Sequence, residues 1–138
     1  MYDIEKLGKI IADIDKNFAE LKSFGLNEKT LNDSKTFYAS SMAIFGILSR
    51  VIDLAEEIIV RNHFGMPQSY EEHFEVLSNN GIIDKRFSEE LKKIAKSRNL
   101  FAHEYYSLKR KEVLKLSRDI YIVKDFAERI KKLVAKQK

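Results

Sequence analysis

The sequence predicts an all-α fold, an up-and-down bundle of four to five helices in one domain over residues 1–138. Two observations carry this expectation. A single proline and five glycines, in a chain that is 44% hydrophobic and 33% charged, suit long helices and supply too few turn residues for a sandwich of short strands. Apolar residues also recur at spacings of three and four along five segments, the period of a helix with one buried face.

The first segment runs from about Tyr2 to Phe24, with Ile4, Leu7, Ile11, Ile14, Phe18 and Leu21 on one stripe and Gly25 as its stop. The second begins near Leu31 or Ser34 and continues to Phe64 through Phe37, Ser41, Ile44, Phe45, Leu48, Ile52, Ala55 and Ile59, closed by Gly65 and Pro67. Ser69 followed by Glu72 is a capping-box pattern that opens a short helix through Phe74 and Leu77, which stops at "SNNG". A fourth helix starts near Asp84 or Ser88, turns Phe87, Leu91, Ile94 and then Ala95 or Arg98 inward, and carries the run "SRNLFAHEYY" at its end. The last, about Lys109 to Lys136, repeats Val113, Leu116, Ile120, Val123, Ala127, Ile130 and Val134 as a heptad-like seam for antiparallel packing.

Composition removes several chemistries. Without cysteine there is no disulfide framework, thiolate nucleophile or sulfur-ligated zinc. No run of about 18 apolar residues occurs, and "MYDIEKLGKI" lacks the basic-then-apolar layout of a signal peptide, so a cytoplasmic protein with no membrane partner is expected. Residues 107–138 hold eleven Lys or Arg against four Asp or Glu, a net +7, whereas residues 1–106 hold fourteen against seventeen, a net −3. Such a basic segment either attracts phosphate backbones, with Lys109, Arg110 and Lys111 as the nearest contacts, or is a solvated helix face.

The run at 97–110 concentrates the remaining chemistry. On a straight helix Arg98 and Tyr105 share one face and Asn99 and His103 another, while Arg98 and His103 stand about 140° apart. Arginine and histidine then cooperate in one of two ways. Either the helix unwinds around residues 102–106 and swings the imidazole back, or two copies of the chain complete each site across a twofold axis, which predicts a homodimer. A histidine moves protons near neutral pH and an arginine braces a phosphoryl group bidentately, a pair suited to metal-independent cleavage of RNA by its own 2′-hydroxyl. No metal site and no cofactor are expected: no Asp, Glu and His cluster at ligand spacing adjoins the motif, Glu104 does not suffice, and no phosphate-cradling glycine loop occurs.

From spacing alone, the same residues also read as a surface cap and packing feature of a helical dimerisation module. His63 and His73 read as surface or half-buried histidines, and Tyr2, Tyr38, Tyr70 and Tyr121 as core or rim aromatics. Asp53, between Ile52 and Leu54, either faces solvent or points at the motif helix.

"RNLFAHEYY" follows the Arg, four residues, His, one residue, Tyr pattern of the HepT family of HEPN-superfamily ribonucleases, and the sequence resembles that family beyond the motif. "FYASSMAIFGILSRVIDLAEEII" is similar to its long second helix, and "FGMPQSYEEHFEVLSNNGIIDKRFSEELKKIAKSRN" to its connector. The resemblance covers about Phe37 to Ile130. It implies a HEPN-like homodimeric bundle with Arg98 and His103 as the catalytic pair and Asn99 as a supporting polar residue. It also implies that Tyr105, with Tyr106 as an adjacent alternative, receives AMP from an MNT-type nucleotidyltransferase antitoxin. Attached there, an AMP group would stand on the face of Arg98 and block the phosphate site. The expected activity is that of an endoribonuclease toxin acting on RNA. The other functional reading is a non-catalytic nucleotide-binding partner subunit of a nucleotidyltransferase.

Overall fold

The computed structural model describes residues 1–136, so the last two residues of the domain expected over 1–138 lie outside the described part. Seven α-helical segments occur among the described residues: α1 Ile4–Ser23, α2 Ser34–Arg61, α3 Tyr70–Asn79, α4 Lys85–Ala95, α5 Ser97–His103, α6 Arg110–Asp119 and α7 Ile122–Ala135. Short 3₁₀ turns at Thr30–Asn32 and Tyr105–Ser107 precede α2 and α6. The fold is the all-helical bundle that the periodicity predicts.

Local chemistry sets the start of four of the helices. Asp3, Asp33, Ser69 and Asp84 each accept a hydrogen bond from the backbone N–H three residues on, satisfying a donor that the first helical turn leaves unpaired. Glu72 reaches back to the N–H of Gln68 at 2.6 Å rather than to that of Ser69, so the capping box spans one residue more than expected. The second helix ends at Arg61, three residues earlier than its apolar period suggests. His63, at φ +56°, takes the left-handed position there, and the N–H groups of His63 and Phe64 bond back to Val60 and Ile59.

The long α1 and α2 are antiparallel. Partners descend along α2 as they ascend along α1: Tyr2 with Asn62, Lys6 with Glu57, Asp13 with Arg50, and Asn17 against Gly46. A Cβ at Gly46 would stand 2.8–3.0 Å from the Asn17 amide, so glycine permits this approach. Arg50 bonds Asp13 and, at 3.1 Å, Asp53, so Asp53 is engaged on the α1 side of α2. One contiguous core runs from Tyr2 to Ile130, centred on α2, with Phe18, Phe74 and Phe126 fully enclosed. Ile4 is exposed and Ile11 half-buried, because the inward stripe of α1 passes through Ile10 instead.

Two expected single helices are each divided. Between α4 and α5, Lys96 keeps right-handed helical dihedrals, so the interruption is one of hydrogen bonding more than of direction. Between α6 and α7, the N–H groups of Val123 and Lys124 bond to Ile120 and Tyr121, three residues back instead of four. The seam residues Val113, Leu116, Ile120, Val123, Ala127 and Ile130 are all buried across this tightened turn, and the Tyr121 ring packs 5.0 Å from that of Phe18.

Candidate functional site

The motif residues occupy α5, the following 3₁₀ turn and the start of α6, packed on the N-terminal half of α2. Phe101 anchors α5 in the core, and both Arg98 and His103 lie within its helical span. The helix therefore does not unwind before His103; it ends there, at Glu104 with φ −128° and ψ 32°. Within one chain the two side chains leave α5 about 140° apart, and the backbone swing that would reunite them is absent.

Arg98 is half-buried, and its guanidinium carbon lies 4.9 Å from the Tyr70 ring centre and 5.3 Å from that of Phe45. Among the described residues, no carboxylate pairs with it. His103 is the exposed last residue of α5, and Asn99 is exposed one position after the arginine.

Past His103 the wheel relation between Arg98 and Tyr105 fails, because Tyr105 belongs to a 3₁₀ turn of different period. What the two residues share is a neighbour, Phe45 of α2. Tyr105 lines a groove of about 400 Å³ with Tyr38, Met42, Phe45, Phe101 and Leu108, and Phe45 is a ring over which Arg98 lies. Tyr105 is 61% and Tyr106 77% exposed, with their rings edge to face. Tyr38 and Met42 are 62% and 67% exposed, which leaves an apolar strip on α2 beside the motif.

Lys109 and Lys111 are exposed. Arg110 differs, since its Nε donates to the Leu31 carbonyl at 2.6 Å and its guanidinium carbon lies 5.1 Å from the centre of the Phe37 ring.

The residues that sequence reasoning missed are Phe45 and Tyr70 beside Arg98, and His73 behind them. His73 is buried, correcting its expected surface or half-buried place. Its Nδ1 lies 2.8 Å from the Ser69 carbonyl; a carbonyl only accepts, so this bond puts the proton on Nδ1. The polar pair Ser69 and Tyr70 was the available signal, but nothing in the linear order connects it to Arg98. Among the described residues, no three His, Asp or Glu side chains lie close enough together to hold a metal ion, and no helix is long and apolar enough to cross a membrane.

Residues 10–133 match the sequence model of the family described as ribonuclease HepT-like. The chain is 37% identical over 57 residues to an mRNA nuclease HepT of Shewanella oneidensis; the match spans 41% of this chain and 43% of that protein, less than half the length of the curated relative. Its structure is similar to that of a tri-AMPylated Shewanella oneidensis HEPN toxin in complex with MNT antitoxin, with a TM-score of 0.84 at 25% identity over 96% of this chain and 99% of that one. A cytosolic protein of unknown function, YutE from Bacillus subtilis, shares the fold with a TM-score of 0.86 at 18% identity, over 99% of this chain and 95% of that one.

Proposed function

Because this chain belongs to the HepT-like ribonuclease family, we propose that it is the toxin of a toxin–antitoxin pair, a metal-independent endoribonuclease that acts in the cytoplasm as a homodimer. An MNT-type nucleotidyltransferase antitoxin neutralises it by forming a complex and by transferring AMP to Tyr105. The observation that carries this reading is Arg98, a half-buried guanidinium held over two rings with no carboxylate partner among the described residues. An arginine kept in that state has its N–H donors available to an anion.

In the proposed reaction His103 takes the proton of an RNA 2′-hydroxyl as that oxygen bonds to the adjacent phosphorus. The bond from phosphorus to the 5′-oxygen breaks; that oxygen takes a proton from water and leaves as a 5′-hydroxyl, the other product is a 2′,3′-cyclic phosphate, and the imidazolium returns its proton to solvent. Arg98 braces the phosphoryl oxygens as their charge grows, with Asn99 as a further donor. DNA, which lacks the attacking hydroxyl, is not cut.

The roughly 140° between Arg98 and His103 on α5 favours assembly of each site from two copies, with arginine from one and histidine from the other. The exposed Tyr38 and Met42, beside the groove, are the apolar surface such a contact would cover. Lys109 and Lys111, and the outer edge of Arg110, lie at the start of the basic segment and would guide the RNA backbone.

The test is RNA cleavage in EDTA by the wild type and by His103→Ala. The wild type should cut, and the variant should be slower by about 10²–10⁴-fold. Equal activity in both, or none in either, removes the assignment of His103.

A further inference from the structure

Tyr70, the first residue of α3, stands next to Arg98 of α5, although the whole of α4 separates them in the chain. The Tyr70 ring is itself held, since it packs 6.3 Å from the buried His73 ring, whose Nδ1 is bonded to the Ser69 carbonyl. On the neighbouring helix, Phe45 offers Arg98 a second ring at 5.3 Å. We infer that Tyr70 and Phe45 are positioning residues for Arg98: the two rings hold the face of the guanidinium and leave its N–H edge for a phosphate. The inference rests on the ribonuclease reading and names the device that prepares its arginine.

The physical reason lies in what each kind of partner uses. A carboxylate would occupy the same N–H donors that a phosphoryl group needs, and the pair would have to break before substrate bound. An aromatic face attracts the cation through its quadrupole and leaves those in-plane donors unspent. It also restrains one of the most rotamer-rich side chains in the geometry required when charge develops on phosphorus. The Tyr70 hydroxyl makes no hydrogen bond among the described residues, so the ring and not the phenol supplies the effect.

The experiment compares Tyr70→Leu and Tyr70→Phe, each alone and combined with Arg98→Ala, by steady-state cleavage of a short oligoribonucleotide. The Arg98 side-chain resonances are followed by NMR. Tyr70→Leu should lower kcat about tenfold with KM within about twofold, and Tyr70→Phe should stay within about twofold of wild type. In the Arg98→Ala background, Tyr70→Leu should have no further effect. The ring-current shift of the Arg98 methylene protons should shrink in Tyr70→Leu and persist in Tyr70→Phe.

Equal fractional losses from Tyr70→Leu with and without Arg98 would overturn the inference, as would Arg98 resonances unmoved by Tyr70→Leu. Wild-type protein that cuts no RNA overturns the ribonuclease reading and this assignment with it. Wild-type cleavage with independent losses overturns the positioning role alone.

Discussion

Arg110, the first residue of α6, donates from Nε to the carbonyl of Leu31 at 2.6 Å, tying the basic end of the chain to the turn that opens α2. The Phe37 ring beneath its guanidinium adds a cation–π contact at 5.1 Å. Of the three basic residues at 109–111, this one has a structural task that its neighbours lack.

Arg110→Ala should therefore lower stability by about 1–3 kcal/mol, through a lost charged hydrogen bond and ring contact. Lys109→Ala and Lys111→Ala should stay within about 0.5 kcal/mol of wild type. Urea unfolding separates them, and an unchanged Arg110→Ala midpoint would show that the contact contributes nothing. If the lysines guide RNA, each lysine variant should flatten the salt dependence of RNA affinity by about 0.7 in log–log slope.

A pH dependence follows from Glu57, which is only 5% exposed on α2. Burial raises its carboxyl pKa, but hydrogen bonds from Arg61 and Lys6, each at 2.9 Å, outweigh that and hold it below its ordinary value. The hydrogen bond and charge of Glu57 in turn raise Lys6. A depressed carboxylate stabilises the fold above its unfolded pKa, and that contribution is lost as pH falls through the folded value. A raised lysine stabilises below its unfolded pKa, and its contribution is lost as pH rises through the folded value. Stability should decline below about pH 4.3 and above about pH 10.4. Glu57→Gln should flatten both limbs in denaturant titrations across pH, and an equally steep acid limb in the variant would remove Glu57 as its source.

The apolar strip on α2 makes the oligomeric state testable. Met42→Glu places a charge on a side chain that is already 67% exposed, so the fold of one protomer should keep its stability to within about 0.5 kcal/mol. Sedimentation should show the wild type as a dimer and the variant shifted toward monomer, with RNA cleavage falling in step if the sites are shared. A dimer unaffected by Met42→Glu would place the interface elsewhere.

Tyr105 and Tyr106 are both open to a modifying enzyme, but only Tyr105 lines the groove that contains Phe45. With an MNT-type nucleotidyltransferase and ATP, Tyr105→Phe should lose AMP incorporation, whereas Tyr106→Phe should keep it and still lose cleavage activity on modification. Mass spectrometry of the tryptic peptide decides, and AMP found on Tyr106 alone would reverse the assignment.

The sequence by itself determined the helices. Spacing of apolar residues, aspartate or serine caps and the glycine at the end of α1 act over a few residues, so they are readable in linear order. The local part of the site was equally readable, because Arg98, Asn99, His103 and the two tyrosines are near neighbours in the chain. Only the tertiary structure decided where the motif helix stops, that the Ile120–Tyr121 turn tightens without exposing the seam, and that His63 rather than Gly65 terminates α2. Packing also assigned partners across the chain: Asp13 to Arg50, Arg110 to Leu31, and Arg98 to Phe45 and Tyr70. Those choices depend on which faces of distant helices meet, and that is settled by how α2 is enclosed by its neighbours, a long-range packing outcome that no local pattern encodes.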